Sequence, residues 1–406
     1  MTAPPRKPKL AFWFRYGAAE HAELFHALPQ LIEELSQSVD VHYYGMKSER
    51  AIPESIRNHA TLHALPFRVR RTSNFDKFLK TLLWILSLPF IARHARRQDI
   101  DCVYMDEAIP FAAWITHRFF GRNYVITVAD FFVDIYLTPN RLLRPAGRWI
   151  RNFDLRSWRT AALVITRALT TRNYLMEHGI SPDRVRPIYD PCDTEIFRPL
   201  DKESCRKAFG FKKEDIVLVH HGILHPNKGN DRILMALARL RDIQPGLKFL
   251  LIGDGPDMNR IKEMVRTLDL ADRVTLTGWL PDRADVNKAL NAGDIGLVMR
   301  AGHASDHFHM TGALVHNMAC GLPILAARLG GIAEVVREGD NGLLFDPACS
   351  EEFDENLLRL CRNTDLRETM GKQARVDAVA LFSMTSVVQA TTQVLTPLLT
   401  DCSFHE

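Results

Sequence analysis

The 406-residue chain lacks any uninterrupted apolar run of the ~18 residues that a membrane-crossing helix requires. The nearest, FLKTLLWILSLPFIARHARR from Phe78, is broken by Lys80, Ser87 and Pro89, so any membrane contact is expected to be peripheral. An apolar leader is missing too: MTAPPRKPKL runs directly into a strand pattern. The seven cysteines, Cys102, Cys192, Cys205, Cys320, Cys349, Cys361 and Cys402, are odd in number and form no Cys-x-x-Cys pair. That argues against a disulfide framework or a zinc finger and for a reducing, cytoplasmic compartment. Charge of one sign is also scarce, and a net charge of +4 does not point to nucleic acid. With 46% hydrophobic and 25% charged residues, neither disorder nor a fibrous repeat is indicated.

What is present is an alternation of short apolar runs with helical patterns. Strands are predicted at residues 10–14, 40–45, 101–105, 123–129, 162–167 and 185–189, with one helical pattern over Glu20 to Gln37. The alternation restarts after DTEIFRPLDKESCRKAFGFKKED, with strands at 216–222, 248–255, 274–280, 295–299 and 323–327. Two doubly wound parallel-sheet domains follow, residues 1–199 and 200–381, with a terminal segment 382–406 carrying a helix from about Met384 to Leu399. Ligands of such sheets sit beyond the carboxyl ends of strands, and two such domains facing each other make a cleft.

The chemistry concentrates in the second domain. In HHGILHPNKGNDRILMAL, from His220, a strand leads through Gly222, Lys228 and Gly229 into a helix that Asn230 or Asp231 would cap. A helix N-terminus supplies free N–H groups and Lys228 a full cation, which together suit a diphosphate. IGDGP, with Gly253, and TLTGWLP, with Thr277, Gly278 and Trp279, end the next two strands in tight turns. In the third segment a helix from Thr311 through His316 is stopped by Gly321 and Pro323, then a buried strand leads to Gly330 and Gly331, which open the helix carrying Glu334. Small residues let a ligand lie against main chain, and a nucleotide sugar fits the set.

These stretches, in this order and spacing, resemble the GT-B glycosyltransferases of the group 1, family 4 type. The carrying motifs are G-x-L-x-x-x-K-G from Gly222, GDGP, VTLTGWLP, NMACGLPILAARLGGIAEVVREGDNGLLFDP and DTEIFRP from Asp193. YGAAEHAELFHAL, from Tyr16, is similar to the glycine-rich loop and first helix of the family's acceptor domain, which places Gly17, Ala18, Glu20 and Asp106 on the acceptor side. FSMTSVV, from Phe382, is similar to the terminal helix that crosses back to that domain. The resemblance implies the GT-B architecture and sugar transfer from a UDP- or GDP-type donor to a glycan or lipid-linked acceptor. It implies no required metal or other cofactor.

Departures from the family pattern are specific. Lys228 stands at the phosphate-binding lysine, but Ile223 replaces the arginine just after the first glycine. The family's two glutamates fall at Phe308 and His316, where His316 is expected to meet the donor ribose and His309 to lie on the donor side. The acceptor-domain histidine is replaced by Ala129, followed by Asp130. Asp130 and Asp306 are therefore the candidate catalytic carboxylates, each able to act as a base or as an electrostatic partner of the sugar. The histidines also suggest a metal, but no HExxH or Cys/His finger spacing supports one. Two basic, aromatic stretches, Arg68 to Arg97 and Arg141 to Arg159, suit either solvated helix faces or an anionic membrane surface on the inner face. The missing acidic residues leave a second reading, a GT-B binding or scaffold subunit, and the shared architecture a third, a sugar-nucleotide 2-epimerase.

Overall fold

The computed structural model describes residues 6–67, 74–129, 131, 133, 141–302, 304–308 and 310–400. The chain divides into two compact units, Met1–Pro191 with Met384–Glu406, and Cys192–Ser383. The division falls at Pro191/Cys192 and Ser383/Met384 instead of 199/200 and 381/382. The shift has a local cause: the Cys192 N–H donates to the Phe382 carbonyl, which ties the DTEIFRP segment to the second unit.

The first unit is built on seven parallel strands: β1 (Lys9–Trp13), β2 (Asp40–Met46), β3 (Ala60–Leu65), β4 (Cys102–Met105), β5 (Tyr124–Val128), β6 (Leu163–Thr166) and β7 (Val185–Pro187). Their order is β3-β2-β1-β4-β5-β6-β7, which reverses direction between β1 and β4. Apart from Lys9 at the start of β1, the central strands are buried throughout and almost wholly apolar, as a sheet covered on both faces requires. The terminal helix Met384–Thr400 packs here, with Val387, Val388, Leu395 and Leu399 in the core beside Leu28, Leu31 and Leu35. The expected single helix over Glu20 to Gln37 is two, Ala18–Leu24 and Leu28–Ser36, because Pro29 is tolerated in a first helical turn and not in an interior.

The second unit has six parallel strands: β8 (Ile216–His221), β9 (Leu247–Ile252), β10 (Val274–Leu276), β11 (Ile295–Val298), β12 (Ile324–Ala327) and β13 (Gly342–Phe345). Their order is β10-β9-β8-β11-β12-β13, with the reversal between β8 and β11. The strands β3 and β13 were not expected from sequence. Edge strand β3, ATLHAL, is only half-buried and carries Thr61 and His63, while β13 is four residues starting at a glycine.

One arginine holds the framework beneath the candidate site. Arg375, on the helix Thr364–Phe382, donates to the carbonyls of Phe197 (2.8 Å), Ala319 (2.8 Å) and Thr194 (3.1 Å). It joins the DTEIFRP segment to the end of the helix Gly312–Ala319. Arg375→Met, which keeps the aliphatic stem and strands these carbonyls, should lower stability by about 2–4 kcal/mol. A lower urea midpoint in equilibrium unfolding would record it.

Candidate functional site

The two reversals position the chemistry. At a reversal of strand order, the connections leaving two adjacent strands go to opposite faces, which opens a crevice at their carboxyl ends. In the second unit that crevice lies where β8 and β11 end.

β8 runs out through Gly222, whose N–H donates to the Ile252 carbonyl at 3.0 Å with φ at +121°. Gly253 lies so close that a Cβ there would come within 2.1 Å of the Gly222 oxygen. Gly253 in turn donates to the Gly278 carbonyl at 3.0 Å, so three strand ends are stitched through glycine backbone. Thr277 closes the turn on itself, its hydroxyl donating to the Gly278 carbonyl, and leaves the Trp279 ring 63% exposed at the rim. Past Gly222, the short turn Pro226–Lys228 leads to Gly229 at φ +64° and then to the helix Asn230–Arg239. Gly229 occupies the N-cap, not Asn230 or Asp231, because the chain enters in the left-handed conformation and Asn230 is already buried in the first turn.

Arg300 leaves β11 on the adjacent course. The Ala301 N–H donates to the Asn227 carbonyl at 2.8 Å, and the Met299 side chain packs against Gly229. Arg300 is thus gripped between two residues that both touch the Lys228 loop. Its guanidinium meets the buried Asp306 at 3.2 Å. Burial, then the charge of Arg300, push the Lys228 ammonium down to about 8, with Asp306 opposing. Two cations and one carboxylate therefore share a half-buried space, an arrangement that favours an incoming anion.

Asp306 does not stand as an available catalytic carboxylate. It is 3% exposed and turned onto Arg300, because an ionised carboxylate in so dry a place needs a cation. His316 is likewise drawn inward: its ring stacks on Phe197 at 3.8 Å, and Nδ1 is 3.0 Å from Nε2 of His221. Burial, with the Lys228 charge, lowers His221 to about 4, and the same causes lower His220 to about 3, so both are neutral at pH 7. A neutral ring has one donor and one acceptor nitrogen, which lets His221 and His316 share a bond. His220 accepts or donates nothing toward the loop, its Nδ1 being 3.0 Å from the Leu297 carbonyl, where it donates.

The remaining expected residues are placed as follows. The Thr311 side chain caps the helix Gly312–Ala319 by accepting from the Leu314 N–H at 3.2 Å. The Gly330 N–H, expected to face a phosphate, donates to Nδ1 of His307 at 3.3 Å; Gly331 is buried, and Glu334 ends that short helix. Phe308 closes the turn Ala304–Phe308. Asp130 and His309 lie outside the described residues. Among the described residues no group of three or more His, Cys, Asp or Glu side chains is placed to hold a metal ion.

In the first unit the reversal lies between β1 and β4. Gly17 precedes the helix Ala18–Leu24, packed so closely that a Cβ would come within 2.3 Å of Ser48 Oγ. Glu20 accepts from the Glu49 N–H at 2.8 Å, and Ala18 is buried. Asp106, after β4, is the centre of a buried network. It accepts from Tyr104 (2.9 Å) and Arg167 (2.9 Å), and its other oxygen is 3.0 Å from His21 Nε2. Burial raises its carboxyl, but Arg167 and His21 outweigh that and hold it below the usual range. Asp106 therefore braces the strand ends and is not open to an acceptor. Sequence reasoning assigned no role to His21, Arg167, Arg300 or Phe197.

Two parallel-sheet units of Rossmann type, each with its polar residues at the reversal of strand order, define a two-domain transferase of the GT-B class. Residues 201–377 match the family model of glycosyl transferases group 1 and residues 28–196 that of Glycosyltransferase Family 4, and the chain belongs to these glycosyltransferases. It is 24% identical to an N-acetyl-alpha-D-glucosaminyl L-malate synthase of Bacillus anthracis over 73% of this chain and 75% of that one. It is 31% identical to a D-inositol 3-phosphate glycosyltransferase of Acidothermus cellulolyticus, a match spanning 45% of this chain and only 42% of the relative. Among solved structures, sucrose-phosphate synthase from Thermosynechococcus elongatus is similar in fold, with TM-score 0.74, 18% identity and coverage of 97% and 99%. The Anabaena protein HepE in complex with UDP has TM-score 0.70, 18% identity and coverage of 96% and 99%.

Lys228 has a sign-defined effect on the empty protein. Its folded value, about 8, lies below the 10.5 of the free side chain, so the unfolded chain binds more protons between those values. Stability must rise with pH across that window, and at pH 7 the charged form is penalised. Lys228→Met should therefore stabilise the ligand-free protein at pH 7 by about 1–3 kcal/mol, with a gain that shrinks toward pH 10. Thermal melts of both forms from pH 7 to 10 measure this.

Proposed function

We propose that this glycosyltransferase takes its sugar from a nucleotide-sugar donor, with Lys228 and Arg300 binding the diphosphate at the crevice between β8 and β11. The observation that carries the reading is the convergence of these two cations, Lys228 beside Gly222 and Arg300 close enough to lower its ammonium, with Arg300 held by the buried Asp306. Arg300 supplies the charge that Ile223 cannot, and it does so from the neighbouring strand. The Anabaena relative in fold is described with UDP and with UDP-glucose, which supports a UDP-type donor here.

When a diphosphate enters, Arg300 exchanges part of its hold on Asp306 for phosphate oxygens, and the donor's own charge replaces the lost partner. Trp279 and the Thr277–Gly278 turn border the base. His316 steadies the Phe197 ring beneath the ribose and does not grip hydroxyls as a glutamate would. Gly331 and Glu334 lie toward the donor phosphate and sugar. Asp130 remains the catalytic candidate, and Gly17 and Glu20 mark the acceptor edge, where a glycan or lipid-linked hydroxyl would be received. No cofactor is required in this scheme, because phosphate charge is met by side chains and main chain. A cytoplasmic site of action accords with the six free cysteines among the described residues.

Calorimetric titration with UDP, GDP and their monophosphates tests the donor reading. Wild-type protein should bind a nucleoside diphosphate and release sugar slowly from the matching donor. Arg300→Met and Lys228→Met should each weaken diphosphate binding by about 1.5–3 kcal/mol, and affinity should fall as pH rises above about 8. Equal affinity of wild type and Arg300→Met would remove Arg300 from the site.

A further inference from the structure

We propose that the outer face formed by the helix Asn74–Arg97 and its two neighbours docks on an anionic lipid surface. That helix buries one apolar face and exposes a second apolar stripe. Phe78, Leu82, Leu86 and Phe90 recur at every fourth residue, and they are 65%, 41%, 59% and 76% exposed. The polar side chains Lys80, Thr81 and Ser87 are buried on the opposite face. An ordinary surface helix turns charged and polar residues to solvent where this one shows the stripe.

The inward polar residues have a use. Thr81 accepts from Arg15 at 2.6 Å, and the Lys80 ammonium lies 4.6 Å from the Tyr16 ring centre. Both Arg15 and Tyr16 belong to the loop that leaves β1, where the candidate acceptor edge begins. The outward apolar stripe has no such use inside the protein.

Exposed aromatic side chains recur on the two neighbouring helices. The helix Ala112–Phe119 packs between Asn74–Arg97 and the helix Arg144–Trp158. There Trp114 and Trp149 are 48% and 61% exposed and are joined through Phe153 in an edge-to-face and stacked cluster. Leu142, just before the third helix, is almost fully exposed. Scattered apolar side chains are normal on a protein surface, but exposed apolar and aromatic residues recurring along three packed helices mark an interaction site.

Charge selects the occupant. Arg93 and Arg97 extend the apolar stripe toward the end of its helix, and Arg144, Arg148 and Arg156 are exposed on the third helix. Acidic residues on the three helices are confined to Asp76 in the first turn and to Asp154, which is buried. Two copies of this face would bring arginines against arginines. An anionic bilayer satisfies both features, accepting the apolar side chains below the headgroups and the arginines at them.

The helix lies on such a surface and does not cross it. Asp76–Arg97 is long and apolar enough to span, yet Trp84, Leu88, Ile91, Ala92 and Ala95 are buried in the first unit along its whole length. The face goes beyond the donor reading and does not depend on it. It would bring the acceptor edge to a membrane-borne substrate.

Co-sedimentation of the full chain with phosphatidylcholine vesicles, with and without phosphatidylglycerol, tests the proposal. Wild type should bind the anionic vesicles at low salt and dissociate at high salt. Leu86→Ser/Phe90→Ser should weaken binding by about tenfold or more without lowering the melting temperature or UDP binding, since both side chains are exposed. Arg144→Ala/Arg148→Ala should dissociate at lower salt than wild type, and Trp149→Ser repeats the apolar test on a separate helix if the double variant is unstable. The proposal fails if wild type ignores anionic vesicles, binds neutral ones equally well, or binds no less after the serine changes. It also fails if light scattering finds a dimer that the serine changes split, with no vesicle binding.

Discussion

Parallel strands can be joined only by crossovers, and the rest of this molecule depends on that constraint. Each sheet grows outward from a central strand in one direction and then in the other, so each has a single place where its order reverses. There the connections part, and nothing covalent fills the gap between them. In the second unit the gap holds Lys228 and Arg300; in the first it holds the Gly17 loop and Asp106. The binding edges are consequences of topology before they are consequences of side-chain identity.

Identity then decides what each edge can do, and the two differ in how their charges are settled. Asp106 is satisfied from three sides, by Tyr104, Arg167 and His21, and Arg167 is shared with Asp190 at 3.2 Å. Such a network braces strand ends and has no charge left to offer a ligand. In the second unit Asp306 pairs with Arg300, and Lys228 lies near both, its ammonium lowered first by burial and then by the Arg300 charge. A fully paired network holds shape.

The fold was legible because periodicity survives averaging over whole elements. Eleven strands and the restart of the pattern could be read from apolar runs, whereas β3 and β13 could not: one is a half-polar edge and the other is four residues long. The helix from Glu20 to Gln37 was misread as one because its apolar spacing continues across Phe25 to Ala27, although Pro29 carried the warning. At the site, Lys228 was legible because it lies within a local strand, turn and helix. Arg300 was not, since its partner loop is more than seventy residues earlier in the chain. A signal existed: Gly296 pairs with Val219, so the residues leaving β11 run alongside those leaving β8, and Arg300 follows β11 as Ile223 follows β8. Asp306 and His316 have surroundings that spacing did not foretell, for one reason. Spacing gives the position of a side chain along a helix or loop, but the direction it turns is set by which partner it finds, here Arg300 and Phe197.

The helix Asn74–Arg97 joins local packing to larger organisation. Arg15, which also pairs with Glu107 at 2.6 Å, and Tyr16 lie against this helix at the acceptor edge, where buried polar groups need polar contacts. Turning Thr81 and Lys80 inward supplies the polar contacts that edge needs. The same rotation forces Phe78, Leu82, Leu86 and Phe90 outward, since residues four apart share a face. In water that exposure is unfavourable and has no compensation within the described structure. The inner face combines these polar contacts with buried Trp84, Leu88 and Ile91, and the same helix rotation presents an outer apolar stripe suited to an apolar partner. That couples the chemistry of the acceptor edge to the surface on which the protein works.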